Sequence, residues 1–397
     1  MAQLPDIDIS NVFLYIGDAV RWDTLPESLA ECGQLYKTIA AGIHTPTSFS
    51  SIVTGLHPPQ HGVDQFGDKL DPALPSLFNL SDVEARFTNT INERFNEEPD
   101  DMSILDSTLA TTTSHSDSLS DIETPFIFVE RGPGGHAPYG EYLGNAWEYY
   151  RDRKGAPQSR FRQEYEIAVE RDIEYFNSRV EQLKARGLLD DTLIIYTSDH
   201  GELLGEEGCL GHNSPVHPNL AYVPTVFFHP DLNNKRVTDG VLRHIDLFPT
   251  ILELLDVNDL HLPGRDITTE SIAECGACFY NKSVLPSSQI INGELSFESV
   301  WDYNGGYVFP QSGKINRSAI LLGKLLRSAK REYMRQHLFD NVPFYLSGPR
   351  EYGNTEMSID SCRSYLDRIE KPAHTESDSR NLEQSTEERL RELGYLQ

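Results

Sequence analysis

Cysteine is scarce and odd in number, five thiols scattered through 397 residues, which argues against a disulfide framework. Long apolar runs are also missing. No segment reaches eighteen consecutive apolar residues, so no transmembrane helix and no membrane anchor is expected. The start, Met1-Ala2-Gln3-Leu4-Pro5-Asp6, lacks a basic stretch followed by an apolar one. It does not read as a secretory leader, and a cytoplasmic location is expected if nothing was removed before residue 1. Positive charge is in short supply: 34 Lys and Arg stand against 61 Asp and Glu, for a formal net charge of -27. That field repels nucleic acid and anionic lipid at long range and argues against a broad phosphate-tracking surface. A small anionic substrate would therefore need a metal or a local basic pocket. The same carboxylate excess suits a salt-rich cytoplasm, where screening removes much of the self-repulsion, and is consistent with a halophilic source.

The hydrophobic share of 38% is low but sufficient, and the length allows one large core with a smaller unit beside it. Asn11–Gly17 is continuous, branched and aromatic, and reads as a buried strand. Thr192–Thr197 repeats that pattern, while Pro125–Val129 and Val223–Phe228 are further candidates. Between them lies a helix expected from about Phe161 to Arg186, with Tyr165, Val169, Ile173, Phe176, Val180 and Leu183 on one stripe. A second is expected over Asp246–Leu255 and another helical stretch near Ile320–Met334. Alternating strands and helices indicate an α/β fold. The expected divisions are a catalytic α/β domain over 1–265, a smaller C-terminal subdomain over 266–350, and an acidic, partly flexible tail over 351–397.

Three polar clusters sit at the ends of apolar runs. Asp18 follows the first strand, and Ser198, Asp199 and His200 follow Thr192–Thr197. If the two strands are parallel, both clusters reach the carboxyl edge where ligands gather in open sheets. The third cluster, Thr45-Pro46-Thr47-Ser48, places Thr45 at an N-cap and Pro46 at a first helical position. Thr45 either caps this helix or attacks a phosphoryl or sulfuryl group held at its positive end. A threonine hydroxyl is almost wholly protonated at neutral pH and needs a metal or base beside it. Asp18, Thr45, Asp199 and His200 together offer three oxygens and one nitrogen to one divalent cation. Such a set favours zinc or manganese, with calcium and magnesium as alternatives.

His136 and His212 each lie in a glycine-containing loop and are candidates for the general acid, or for holding a nonbridging oxygen. Arg21 and Asp23 follow Asp18 closely and either touch substrate or form a buried pair. Cys275 and Cys278 offer half of a thiolate zinc site, but with no second pair to complete it they read as ordinary loop cysteines.

These segments resemble the sulfatase branch of the alkaline phosphatase-like superfamily. Tyr15–Leu25 is similar to that family's opening strand and metal-binding aspartate, and Thr45–Pro58 with His61-Gly62-Val63 to its nucleophile helix. Asp190–Glu202, continued by Gly205-Glu206 and Gly211-His212, resembles its late metal motif. His136–Tyr139, Val223-Pro224 and Asp246–Thr250 add further landmarks in order. The resemblance implies a sandwich around a central, mostly parallel mixed sheet, with a smaller C-terminal subdomain. It also implies metal binding by Asp18, Asp199 and His200 and attack by Thr45.

Two segments depart from the family pattern. Thr45 stands where family sulfatases carry the cysteine that matures to formylglycine, with Thr47 at the family's proline and Phe49 at its arginine. Ala19 stands where a second aspartate follows the first. The expected function is accordingly a metal-dependent hydrolase or transferase of phosphate esters through Thr45. The alternatives are a sulfuric ester hydrolase without formylglycine and a catalytically silent relative. Periodicity says nothing of the oligomeric state.

Overall fold

The computed structural model describes residues 4–81, 83–90, 104–111, 119–257, 260–284 and 293–370. Most of the segment expected as an acidic tail, from residue 371 onward, lies outside them.

The main sheet contains β1 (Asn11–Gly17), β2 (Gln34–Ile39), β3 (Glu84–Asn89), β4 (Phe126–Gly132), β5 (Thr192–Ser198), β8 (Tyr222–Phe228) and β9 (Lys235–Arg243), in the order β3-β4-β1-β5-β8-β2-β9. A two-stranded hairpin, β6 (Leu203–Leu204) with β7 (Leu210–Gly211), follows β5. β1 is parallel to both β4 and β5, whereas β8 is antiparallel to both of its neighbours. Six strands thus point one way and β8 opposes them, which makes the sheet mixed and mostly parallel.

All seven residues of β1 are buried, as a central strand covered on both faces requires. Their side chains alternate between two cores. Val12, Leu14 and Ile16 join Phe49, Ile52 and Val53 of α1 (Thr45–Thr54) and Leu247, Phe248 and Ile251 of α3 (His244–Leu254). Phe13 and Tyr15 face the other way, against Ile173 and Phe176 of α2 (Gln158–Ala185). Helices therefore cover both faces of the sheet.

A second, antiparallel sheet holds β10 (Gly276–Ser283), β11 (Glu294–Trp301), β12 (Gly305–Pro310) and β13 (Arg350–Gly353). It packs beside α4 (Lys314–Arg327), α5 (Arg331–Gln336) and α6 (Leu338–Leu346), with α7 (Ile359–Asp367) near the end of the described chain. The two sheets meet where Phe279 N–H donates to the carbonyl of Ala41 (2.8 Å), just ahead of α1. Among the described residues no helix is long and apolar enough to cross a membrane.

Local departures from the sequence expectations have physical causes. The strand expected over 125–129 continues to Gly132 because Glu130 and Arg131 are buried with partners: Arg179 lies 2.9 Å from Glu130, and Arg131 pairs with Asp18. The stretch near 320–334 divides into α4 and α5, whose joint at Ser328 caps the turn with its hydroxyl 3.2 Å from the Lys330 amide. Residues 350–353, placed partly in the tail, pair with β12.

Candidate active site

β1 and β5 run parallel in register, Gly17 opposite Ser198, so Asp18 and Asp199-His200 leave the sheet side by side. The turn at Asp18 is strapped down. Ala19 N–H donates to Asp199 Oδ1 (2.9 Å), Val20 N–H to Ser198 Oγ (2.7 Å), and Gly135 N–H to the Asp18 carbonyl (2.7 Å). Ala19 sits at φ 60°, a left-handed conformation that a residue with a Cβ adopts only when its surroundings hold it there. A Cβ at Gly134 would lie 1.9 Å from the Asp18 carbonyl oxygen, so only glycine fits against this turn.

β2 delivers the chain to α1 from the same edge. The N-cap is His44, one residue earlier than expected, and Thr45 is the first helical residue. Every residue of α1 is buried, which its runs of Ser and Thr tolerate because most of their hydroxyls bond internally: Ser48 Oγ reaches the Gly42 carbonyl at 2.8 Å, and Thr54 Oγ1 the Ser50 carbonyl at 2.6 Å.

Thr45 Oγ1 lies 3.3 Å from His200 Nε2. The other ring nitrogen, Nδ1, is 2.9 Å from the Gly201 carbonyl and must donate to it, so the neutral ring keeps its lone pair on Nε2. That lone pair also faces Asp199 Oδ2 at 3.6 Å and Asp18 Oδ1 at 3.9 Å. One donor atom each from Asp18, Asp199 and His200 lies within 4.8 Å of the others, and all three residues are buried. Among the described residues Asp199 Oδ2 has no hydrogen-bond partner. A buried carboxylate oxygen without a donor, beside a second carboxylate and an imidazole lone pair, fits a divalent cation.

His136 and His212 extend the cluster. The His200 and His212 rings are 4.3 Å apart between centroids, and His136 and His212 are 5.2 Å apart. His136 Nδ1 donates to the Ala137 carbonyl (2.7 Å) and His212 Nδ1 to Glu202 Oε2 (2.9 Å). Glu202 Oε1 in turn accepts from Tyr139 OH at 2.6 Å. Burial lowers the pKa of both histidines. Burial also opposes ionisation of Asp18, yet Arg131, helped by His136, His200 and His212, holds that carboxyl well below the usual range. Asp199 moves the other way, to about 6, through burial and the nearby Asp18 charge.

The structure thus gathers Asp18, Thr45, His136, Asp199, His200 and His212. It places Arg21 and Asp23 apart from that cluster: Arg21 is buried and grips Asp23 with two nitrogens (2.7 and 2.8 Å) and Glu206 with a third (2.8 Å). Several neighbours escaped the sequence reading. Arg131 bonds Asp18, and Lys282 Nζ lies 3.2 Å from His44 Nε2 and 2.9 Å from Asn213 Oδ1. Lys324 Nζ donates to the Asn213 carbonyl at 2.6 Å. Burial and neighbouring ammoniums push Lys282 and Lys324 down to about 7. Arg131 alone had a usable signal, a charged pair ending an apolar strand at the same edge as Asp18. The lysines arrive from the second sheet and α4, more than 200 residues from Thr45 in the chain.

The sulfatase family's sequence profile matches residues 76–257. Over nearly the whole length, the chain is 31% identical across 406 residues to the low-salt glycan biosynthesis sulfotransferase Agl7 of Haloferax volcanii, covering 97% of this chain and 96% of that one. This chain belongs to the sulfatase family. Its fold is shared with solved sulfatase-family and related structures. A 2-O GAG sulfatase superposes with a TM-score of 0.57 at 13% identity, over 77% of this chain and 83% of that one. The phosphonate monoester hydrolase of Agrobacterium radiobacter superposes at 0.56 and 14% identity, over 87% and 100%. The family is one of ester-cleaving enzymes within the alkaline phosphatase-like superfamily, and the buried Asp18, Asp199 and His200 give this member a candidate centre for a divalent metal.

Proposed function

We propose that this sulfatase-family chain transfers a sulfuryl group from an ester donor to a hydroxyl acceptor, by way of Thr45. The observation that carries the reading is a threonine hydroxyl in place of the formylglycine precursor, 3.3 Å from the His200 Nε2 lone pair within the buried acidic cluster. The near full-length likeness to a glycan sulfotransferase supports sulfur over phosphorus and transfer over hydrolysis. Phosphate esters, which the sequence placed first, thereby become the competing reading.

Thr45 Oγ1 passes its proton to the imidazole of His136 or His212 and forms a bond to sulfur as the bond from sulfur to the donor oxygen breaks, and the same imidazole hands that proton to the leaving oxygen. The acceptor hydroxyl then gives its proton to this imidazole and attacks the threonyl sulfate, and the Thr45 oxygen takes the proton back as its bond to sulfur breaks. Glu202 fixes the His212 tautomer by accepting from Nδ1. Lys282 stands beside His44 and supplies positive charge to the anion, as the missing arginine at Phe49 cannot. Asp18, Thr45, Asp199 and His200 would hold the metal, zinc or manganese by their donor set. A bound divalent ion lowers the hydroxyl pKa and withdraws charge from the transferring group. Thr45, Asp18, Asp199 and His200 are fully buried, and exclusion of water favours an acceptor that enters with its own binding contacts.

The test is a screen of 4-nitrophenyl sulfate, phosphate monoester and phosphate diester, each with Zn, Mn, Ca or Mg, with and without a sugar acceptor. Preference for sulfate by tenfold, worth about 1.4 kcal/mol, together with a sulfated Thr45 peptide by mass spectrometry, is expected. Thr45→Ala should remove both signals and leave the thermal midpoint near that of the wild type. Preference for either phosphate ester would replace sulfur by phosphorus, and metal binding without any turnover would mark a silent relative.

A further inference from the structure

Between residues 314 and 346 the chain carries seven Lys and Arg but only two Asp and Glu; Arg317, Lys324 and Lys330 turn inward, and Lys314, Arg327, Arg331 and Arg335 are left at the surface beside Glu332 and Asp340, a locally basic face in a protein of net charge -27. The same stretch holds most of the large apolar side chains left in solvent among the described residues. On α4, Ile315 is 68% exposed, Leu322 57% and Leu326 58%, at positions that fall on one helical stripe. On α6, Phe339 is 96% exposed, with Leu338 and Val342 partly so. The two helices lie against each other in opposite directions, because Arg317 near the start of α4 bonds the Tyr345 and Ser347 carbonyls at the end of α6 (2.8 and 2.7 Å). Arg335, at the end of α5, donates to the Leu325 carbonyl (2.8 Å) at the far end of α4 and also pairs with Glu332 (3.2 Å). Single exposed leucines carry no information, but a run of them edged by cations on a strongly anionic protein does.

We propose that the outer face of α4 and α6 docks on a membrane surface bearing anionic headgroups. Apolar side chains enter the boundary of the acyl region while Lys314, Arg327 and Arg335 meet the phosphates, the arrangement of interfacial amphipathic helices. Charge complementarity selects this occupant. A second copy of the chain docking through the same face by two-fold symmetry would set the basic rim against itself, and an apolar ligand would leave the rim unused. The long-range repulsion expected from the net charge fades beyond about 8 Å at physiological salt, whereas contact pairs survive. The inner side of α4 carries Lys324, which holds the Asn213 carbonyl next to His212. Docking would therefore bring the bilayer within roughly one helix diameter, about 10 Å, of the loop that borders the site. Substrates anchored in lipid are the class this placement serves. The docking proposal stands whichever ester is cleaved.

Flotation of the full chain with phosphatidylglycerol vesicles, against phosphatidylcholine vesicles as control, tests it at physiological ionic strength. Wild type is expected to float with the anionic vesicles and to remain mostly unbound with the zwitterionic ones. Leu322→Glu combined with Phe339→Glu should lower the bound fraction at least tenfold without shifting the thermal midpoint, since both side chains are exposed. Failure to float with the anionic vesicles, or flotation that the double substitution leaves intact, overturns the proposal. Light scattering completes the test: a wild-type dimer that the double substitution splits would assign the face to a second copy instead.

Discussion

The nucleophilic role proposed for Thr45 depends on the neighbours arranged around it, and Arg131 is the neighbour whose contribution is easiest to isolate. Its guanidinium bonds Asp18 where the carboxylate is completely buried and the arginine almost so. Breaking a buried ion pair by removing one partner costs about 3–5 kcal/mol, because the remaining charge is left uncompensated. Arg131→Met should therefore lower stability by that amount in chelator, read as the urea midpoint. Addition of manganese should restore part of the loss, since a cation at Asp18 replaces the lost positive charge. An Arg131→Met protein as stable as wild type in chelator would show that Asp18 does not need this partner. At this scale the convergence of Thr45, the two carboxylates and His200 was legible, because each stands beside an apolar run where the chain must turn at the sheet edge. Lys282 was not, since nothing local relates β10 to α1.

At the scale of elements, α2 does more than cover the sheet. Asp172 on its inner side is buried and accepts from Tyr15 OH, Tyr196 OH and Gly134 N–H, all at 2.8 Å, tying the helix to β1, β5 and the loop after β4. Burial outweighs those bonds and raises its pKa from 3.8 to about 6. The folded protein thus holds this proton more tightly than the unfolded chain does. The resulting stabilisation is complete below about pH 4 and is lost as pH rises through 6, at most about 3 kcal/mol for a two-unit shift. Asp172→Asn has no such titration. The stability of wild type relative to Asp172→Asn should therefore fall by up to that amount between pH 4 and pH 7 in urea unfolding, and a constant difference would refute the assignment. The stripe that identified this helix in sequence contained Tyr165 and Phe176 but not Asp172, because a periodicity of apolar residues passes over a buried acid. The same limit ended the expected β4 too early, at its first charged residue. Whether β8 ran with or against its neighbours could not be read from its apolar run either, since direction depends on the connections.

For the molecule as a whole, sequence order carried the architecture well: alternating strands and helices give the covered, mostly parallel sheet. It did not show how the second sheet closes on the first, a long-range docking made by Lys282 and Lys324 on Asn213 and by Phe279 on Ala41. Charge acts on the same scale. A net -27 on a chain of 397 residues repels itself most strongly in the compact state, where the carboxylates are closest. The screening length shortens from about 30 Å at 0.01 M salt to about 10 Å at 0.1 M, so added salt relieves the folded protein more than the expanded chain. The thermal midpoint should consequently rise as KCl increases from 0.01 M to above 1 M, with most of the gain reached once screening is shorter than the spacing of surface carboxylates. Chloride and acetate salts of potassium should give the same curve, because screening depends on ionic strength and not on the anion. A midpoint that stays flat or falls over this range would mean that the acidic surface is balanced locally, by pairs such as Arg153 with Glu164 of α2 at 2.5 Å and Arg162 with Glu166 within α2 at 3.0 Å, and that the net charge does not govern stability.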